Sequence, residues 1–368
     1  SKSVPVVGKL MGQQSQHEFQ SEVKAQYQQL REDHAGRKKV KNYISIGQAR
    51  ANKVKIDWNN FEPAVPSFLG NKVFKDFDLK EISKYIDWTP FFQTWMLKGK
   101  FPKILEDATI GKEATKLYKD ANGLLDKIVS EELLFARAIV GLYPANSIGD
   151  DDVVVYLDES RTEPLKVFHF LRQQGKKGEG LPNICLADFV APRGKKEYLG
   201  GFAVTAGIGI ESLIEQFDRE NDDYLSIMVK ALADRLAEAF AELMHEKVRK
   251  DLWGYAAAET WSNQELIAEK YHGIRPAPGY PACPDHTEKR SLFDLLEVEA
   301  HTGISLTESF AMYPAASVSG FYFSHPESKY FGLGKVEKDQ VEDYASRKAM
   351  DLAIIEKWLS PNLSYESV

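Results

Sequence analysis

The sequence predicts an α+β fold, a single domain with a central antiparallel sheet flanked by helices. Three observations carry this reading. β-branched and aromatic runs gather in the middle of the chain and near its C-terminus, rather than alternating with helices. Short connections join successive runs, which favours antiparallel pairing. Long amphipathic stretches lie before, beside and after the runs. Of the 368 residues, 43% are hydrophobic and 27% charged, so the chain can bury a sizeable core.

Ser1 to Met11 reads as a linker from a preceding module, which leaves 12–368 as the domain. Gln13 to His34 is polar and free of breakers, the pattern of a helix lying on a surface. The basic run Arg37–Lys41 is either a solvated face or a docking patch for an acidic partner. From Ala51 to Lys100 the chain is aromatic-rich and irregular, with short helices expected over Asp78–Tyr85 and Pro90–Leu97. Glu113–Glu132 is a helix. Ala136–Tyr143, Val153–Leu157 and Lys166–Leu171 are strands, and Cys185–Phe189 is a further short strand. Phe202–Glu211 is strand-like and runs into a helix that ends at Phe217–Arg219. Asp222–Trp253 is the longest helix, with Leu225, Met228, Val229, Leu232, Leu236, Phe240 and Leu243 as its apolar stripe. Ser291–Ala300 is helical. Ile304–Met312 and Ser317–Ser324 are strands, with Lys329–Leu333 returning as a hairpin partner. Val336–Trp358 closes the chain as one helix.

The chemistry concentrates between Tyr271 and His286. Four prolines (Pro276, Pro278, Pro281, Pro284) and two glycines (Gly273, Gly279) stand in sixteen residues. Each proline fixes its own φ and pushes its predecessor toward extended geometry, so the segment is neither helix nor central strand. A stiff loop with unpaired main-chain groups is expected. Arg275 stands at its entrance, with Tyr271 and Tyr280 on either side. Such a loop suits a small zwitterion carrying a flat ring, although a rigid surface crossing would also explain it.

Arg275-Pro-Ala-Pro-Gly-Tyr-Pro-Ala-Cys-Pro-Asp-His286 resembles the signature loop of the C-terminal activation domain of vitamin-B12-dependent methionine synthase. The resemblance covers essentially the whole chain, including Ile86-Asp-Trp-Thr-Pro-Phe-Phe92 and Tyr330-Phe-Gly332, with no departure from the family pattern in these stretches. It implies a domain that binds S-adenosylmethionine and presents its methyl group to the cobalamin held by a neighbouring module of the same polypeptide. The inactive cob(II)alamin is thereby returned to methylcobalamin, with an electron from a reduced flavoprotein such as flavodoxin. It also implies that this chain, which opens Ser-Lys-Ser, is a fragment of a longer cytoplasmic enzyme that does not make methionine alone.

The ligand's handles suggest partners. A carboxylate is best met by an arginine fork, here Arg275. The resemblance gives Asp87 to the ammonium group, although Asp87 is also placed to cap the helix that follows. Glu238 and Glu269 are further acidic candidates near the cationic end. Ala277 and Tyr280 suit the adenine, and Tyr330 and Phe331 complete the set, with hairpin packing as their plain alternative. His286 is the candidate to face the corrin. No catalytic triad or acid–base pair emerges, and no metal site.

Other readings weigh less. Gly207-x-Gly209 after a strand suggests a Rossmann-type S-adenosylmethionine methyltransferase, but Ser212 replaces the third glycine and no βα series follows. Glu242-x-x-His245 and Glu269-x-x-His272 have the spacing of di-iron bundles, without the two further helices that fold needs. Cys283-Pro-Asp-His286 lacks the remaining ligands of a structural zinc. A pure docking domain would bind no small molecule. A net charge of −7 argues against nucleic acid, no apolar run is long enough for a membrane span, and two cysteines point to a reducing compartment.

Overall fold

The computed structural model describes residues 3–11, 15–37 and 42–366. The chain divides at residues 44 and 45 into two units. The first holds helices α1 (Ser3–Met11) and α2 (Ser15–Arg37). The segment expected to be a linker is therefore helical from Ser3. Of the basic run Arg37–Lys41, residues 38–41 lie outside the described residues.

The second unit opens with α3 (Ile46–Ala51), β1 (Gly70–Phe77), α4 (Leu79–Ser83), α5 (Thr89–Thr94) and α6 (Gly111–Ser130). Then come β2 (Phe135–Ile148), β3 (Asp152–Tyr156), β4 (Pro164–His169), β5 (Tyr198–Ile208), α7 (Ile210–Arg219) and α8 (Asp223–Lys247). After α9 (Asn263–Ile267) and the proline loop follow α10 (Glu288–Leu296), α11 (Val298–Thr302), β6 (Ser305–Leu306), β7 (Met312–Tyr313) and β8 (Ser317–Tyr322). Helices α12 (Lys338–Lys348) and α13 (Leu352–Leu359) close the chain.

The sheet runs β4-β3-β2-β5-β8, with β1 also on β2, and every pairing is antiparallel. This is the predicted class, and it excludes the parallel sheet of a Rossmann domain. Both faces are covered. Ala138, Val140 and Leu142 of β2 point into the core under α6 and α8, while Ile139 and Tyr143 point into the core under α10. That alternation is the period-2 geometry of a strand. A third cluster, Val336, Val341, Tyr344, Ile355 and Leu359, joins α12 to α13.

Several expectations need correction. β1 forms where irregular chain is expected, because Asn71, Lys72, Lys75 and Asp76 break its apolar pattern. Leu186–Phe189 is a 3₁₀ turn, not a strand. Asp188 there accepts the Cys185 N–H at 3.0 Å and grips Arg172 with both oxygens, which holds the backbone in a turn. The helix near Ser291–Ala300 is two helices, broken at Glu297 with φ of 52°. The closing helix is likewise broken at Ala349, φ 50°. Residues 304–312 form only the two-residue ladder of β6 and β7. Residues 329–333 form no strand. The edge of β8 they would have paired with is already taken by the proline loop, since Phe321 and Phe323 donate their N–H groups to Pro276 and Ile274. Gly207 sits inside β5 against Pro314 and Ala316, and Gly209 (φ 94°) turns the chain into α7. Cys185 and Cys283 are buried free thiols. Among the described residues no helix is long and apolar enough to cross a membrane.

Candidate functional site

The proline loop is seated on the sheet before it forms a cavity. Ile274 exchanges both main-chain bonds with Phe323 at 3.0 Å, and Pro276 O accepts from Phe321 N–H at 2.9 Å. The loop is therefore more paired than a run of free main-chain groups. Pro278 and Gly279 then make a turn, in which Gly279 N–H reaches Cys283 O at 2.7 Å and Tyr280 N–H reaches Ala277 O at 3.2 Å. Gly279 has φ of 93°, and a Cβ there would fall 2.3 Å from the His286 ring, so only glycine fits. The Ala277 N–H has no partner among the described residues. Beyond the turn, Asp285 is locked to Thr287, Tyr344 and Lys348.

A cavity of about 490 Å³ opens between this loop, β5, β8 and α8. Arg275, Ala277, Tyr280, Tyr330, Phe331, Glu238 and Glu269 all line it, on a floor of Phe202 and Val318. A smaller recess of about 170 Å³ shares Arg275, Glu238 and Glu269 and adds Asp87, Arg235 and Glu242. Seven of the sequence candidates thus meet in one cavity and Asp87 lies in its annex. Asp87 also accepts the Thr89 N–H at 2.9 Å, so it caps α5 while facing the recess. His286 lines neither space. It packs under Gly279 beside Lys289, with its Nδ1 3.3 Å from the ammonium. Residues 330–333 are held by Leu333 N–H on Pro281 O (2.8 Å) and Gln173 on Gly332 O (2.7 Å), which brings Tyr330 and Phe331 to the wall.

Arg275 is anchored from behind. Its Nη2 meets Glu242 Oε2 at 2.8 Å, and its Nη1 donates to Tyr271 Oη at 3.1 Å and His245 Nδ1 at 3.2 Å. Its main-chain N–H donates to Tyr330 Oη at 3.0 Å. Three of the five guanidinium N–H groups are thereby used. Among the described residues Nε–H and one Nη2–H have no partner, and together they are the fork that grips a carboxylate. Burial pulls the Arg275 pKa down, yet Glu242, Tyr271 and Tyr330 carry it above its ordinary value, so the cation is permanent. His245 is wholly buried, and that burial, with Arg249 and Arg275 nearby, holds its pKa well below the usual range. It is neutral, accepts at Nδ1, and carries its proton on Nε2 toward Tyr255 Oη at 3.4 Å. Burial raises the Glu238 carboxyl, partly offset by Arg235 and Arg275, so a cation bound beside it would draw it back toward the charged form.

The two Glu-x-x-His pairs do not converge. Glu242 and His245 both serve Arg275, while His272 lies against Glu259. Sequence reasoning does not find this role for Glu242 and His245. The one available signal is that Glu242 interrupts, and His245 ends, the otherwise apolar run from Ala239 to Met244, which marks them without naming a partner.

Comparison with known proteins places the chain in a family. Residues 78–349 match the family model described as vitamin B12 dependent methionine synthase, activation domain. The chain belongs to this family. It is also similar, at 55% identity and a TM-score of 0.86, to a solved structure described as "Crystal Structure of the MetH Reactivation Domain bound to AdoHcy". The match covers 88% of this chain and 99% of that one. The activation domain is therefore part of the machinery of methionine biosynthesis, and the Rossmann alternative is not favoured.

Proposed function

We propose that this activation domain binds S-adenosylmethionine in the 490 Å³ cavity and presents its methyl group for the reductive reactivation of cobalamin. Arg275 takes the carboxylate on its free fork. Asp87 takes the ammonium, with Glu238 and Glu269 adding negative potential along the cationic side. The Ala277 main chain and Tyr280 take the adenine, and Tyr330 and Phe331 close the wall. His286, outside the cavity, faces the corrin. Cobalamin, held by another module of the same polypeptide, supplies the methyl-accepting cobalt, and a reduced flavoprotein such as flavodoxin supplies the electron. This chain contributes positioning and electrostatics, and by itself makes no methionine. The setting is cytoplasmic.

The observation that carries the reading is the edge, unpaired among the described residues, of a half-buried, permanently charged Arg275 at a cavity with an apolar floor. The AdoHcy bound to the similar reactivation domain supports it. Isothermal titration with S-adenosylmethionine tests it. Wild type should bind, and Arg275→Ala should weaken binding about a hundredfold, the loss of a two-pronged charged contact. Unchanged affinity in Arg275→Ala would place the ligand elsewhere.

A further inference from the structure

Behind Arg275 lies a polar layer outside the main cavity, of which Glu242 and Tyr271 border only the smaller recess. Glu242 uses one oxygen on Arg275, while its other, Oε1, has no hydrogen-bond partner and lies 3.9 Å from Arg249 Nη1. Arg249 is wholly buried in the π turn Val248–Leu252 that ends α8. Its Nε–H donates to Glu259 at 2.9 Å, and its guanidinium lies 4.4 Å over the Tyr271 ring. Neither Nη group has a hydrogen-bond partner among the described residues. Tyr271 gives its hydroxyl to Arg275 and its ring face to Arg249. Two cations and two carboxylates therefore balance inside the protein, a costly arrangement kept in place of an apolar plug.

The cost has a use. An unrestrained arginine loses side-chain entropy when it grips a ligand, and one already fixed does not. Glu242 fixes Arg275 through the 2.8 Å ion pair, and Arg249 stands behind the same carboxylate at 3.9 Å. An amide at position 242 would turn an N–H toward the guanidinium and loosen the grip. We infer that Glu242, backed by Arg249 and Tyr271, is the positioning residue that aims the Arg275 fork, and so sets the preference for an adenosyl sulfonium bearing a carboxylate over one lacking it. This rests on the binding mode proposed above.

The test is a titration of the chain with three ligands: S-adenosylmethionine, its decarboxylated analogue, and 5′-methylthioadenosine. Wild type should favour the first over the second. Glu242→Gln should weaken S-adenosylmethionine about tenfold or more and leave the other two within about twofold, which collapses the preference. Tyr271→Phe removes a single oxygen from the same clamp and should show the same pattern at severalfold, providing the measurement if Glu242→Gln does not fold. A merely structural role would weaken all three ligands together, and that result, or an intact preference in the variants, overturns the inference. Failure of wild type to bind any of the three would instead refute the proposed function.

Discussion

Replacing Gly320 by alanine tests whether the seat of the proline loop on β8 shapes the cavity. A Cβ at Gly320 would stand 2.7 Å from Pro276 O, 3.1 Å from Phe202 Cε1 and 3.4 Å from Ala277 Cα. A carbon–oxygen contact needs about 3.3 Å, so the loop must retreat by roughly 0.6 Å. It cannot do so by a side-chain rotation, because the obstacle is main chain, stiffened by prolines on both sides of Ala277. Overpacking of this kind costs about 1–3 kcal/mol of stability. A 1 Å displacement of positioning groups can cost about a hundredfold, so about tenfold weaker S-adenosylmethionine binding is expected here. Chemical denaturation, ligand titration and amide exchange at Phe321, whose N–H holds Pro276 O, together read the effect. Gly332→Ala is the control, since nothing lies within 4 Å of its Cβ position. It should change stability by less than about 0.5 kcal/mol. Wild-type affinity with full Phe321 protection in Gly320→Ala would refute the reasoning.

Other consequences concern buried charge. Burial pushes the Glu197 carboxyl from 4.5 up to about 8, against the lowering effects of the Tyr198 N–H and Arg161. Between those two values the folded state holds a proton that the unfolded state has released. Stability must then fall as pH rises through this window, by up to about 1.4 kcal/mol per pH unit. Glu197→Gln should flatten that slope in denaturation curves run from pH 5 to 8, and superimposable profiles for the two proteins would count against it. Lys348→Met strands Asp285 and Glu288, both buried beside the end of the proline loop. A loss of about 3–5 kcal/mol is expected, and a midpoint within about 1 kcal/mol of wild type would show that these carboxyls find other partners.

What is legible from the sequence is what local chemistry decides. The runs at 136–143, 153–157 and 166–171 pair as antiparallel strands, because their side-chain period and short connections leave few other ways to bury them. The proline loop announces itself because proline restricts φ whatever surrounds it. Its rigidity follows from composition, and so does the presence of a cation at its mouth.

Tertiary structure decided the rest. Residues 329–333 look as strand-like as β8 itself, but a sheet edge accepts one partner and the proline loop holds it. The breaks at Glu297 and Ala349 have no glycine or proline to mark them, and fall where the chain must turn to pack α11 and α13. The clamp on Arg275 is the least visible feature. Glu242 and His245 lie some thirty residues away from it in sequence, on a helix whose pattern reads as ordinary core. Only folding brings their carboxylate and imidazole behind the guanidinium, and an ion pair between distant residues leaves no trace in local periodicity because its energy depends on distance in space alone.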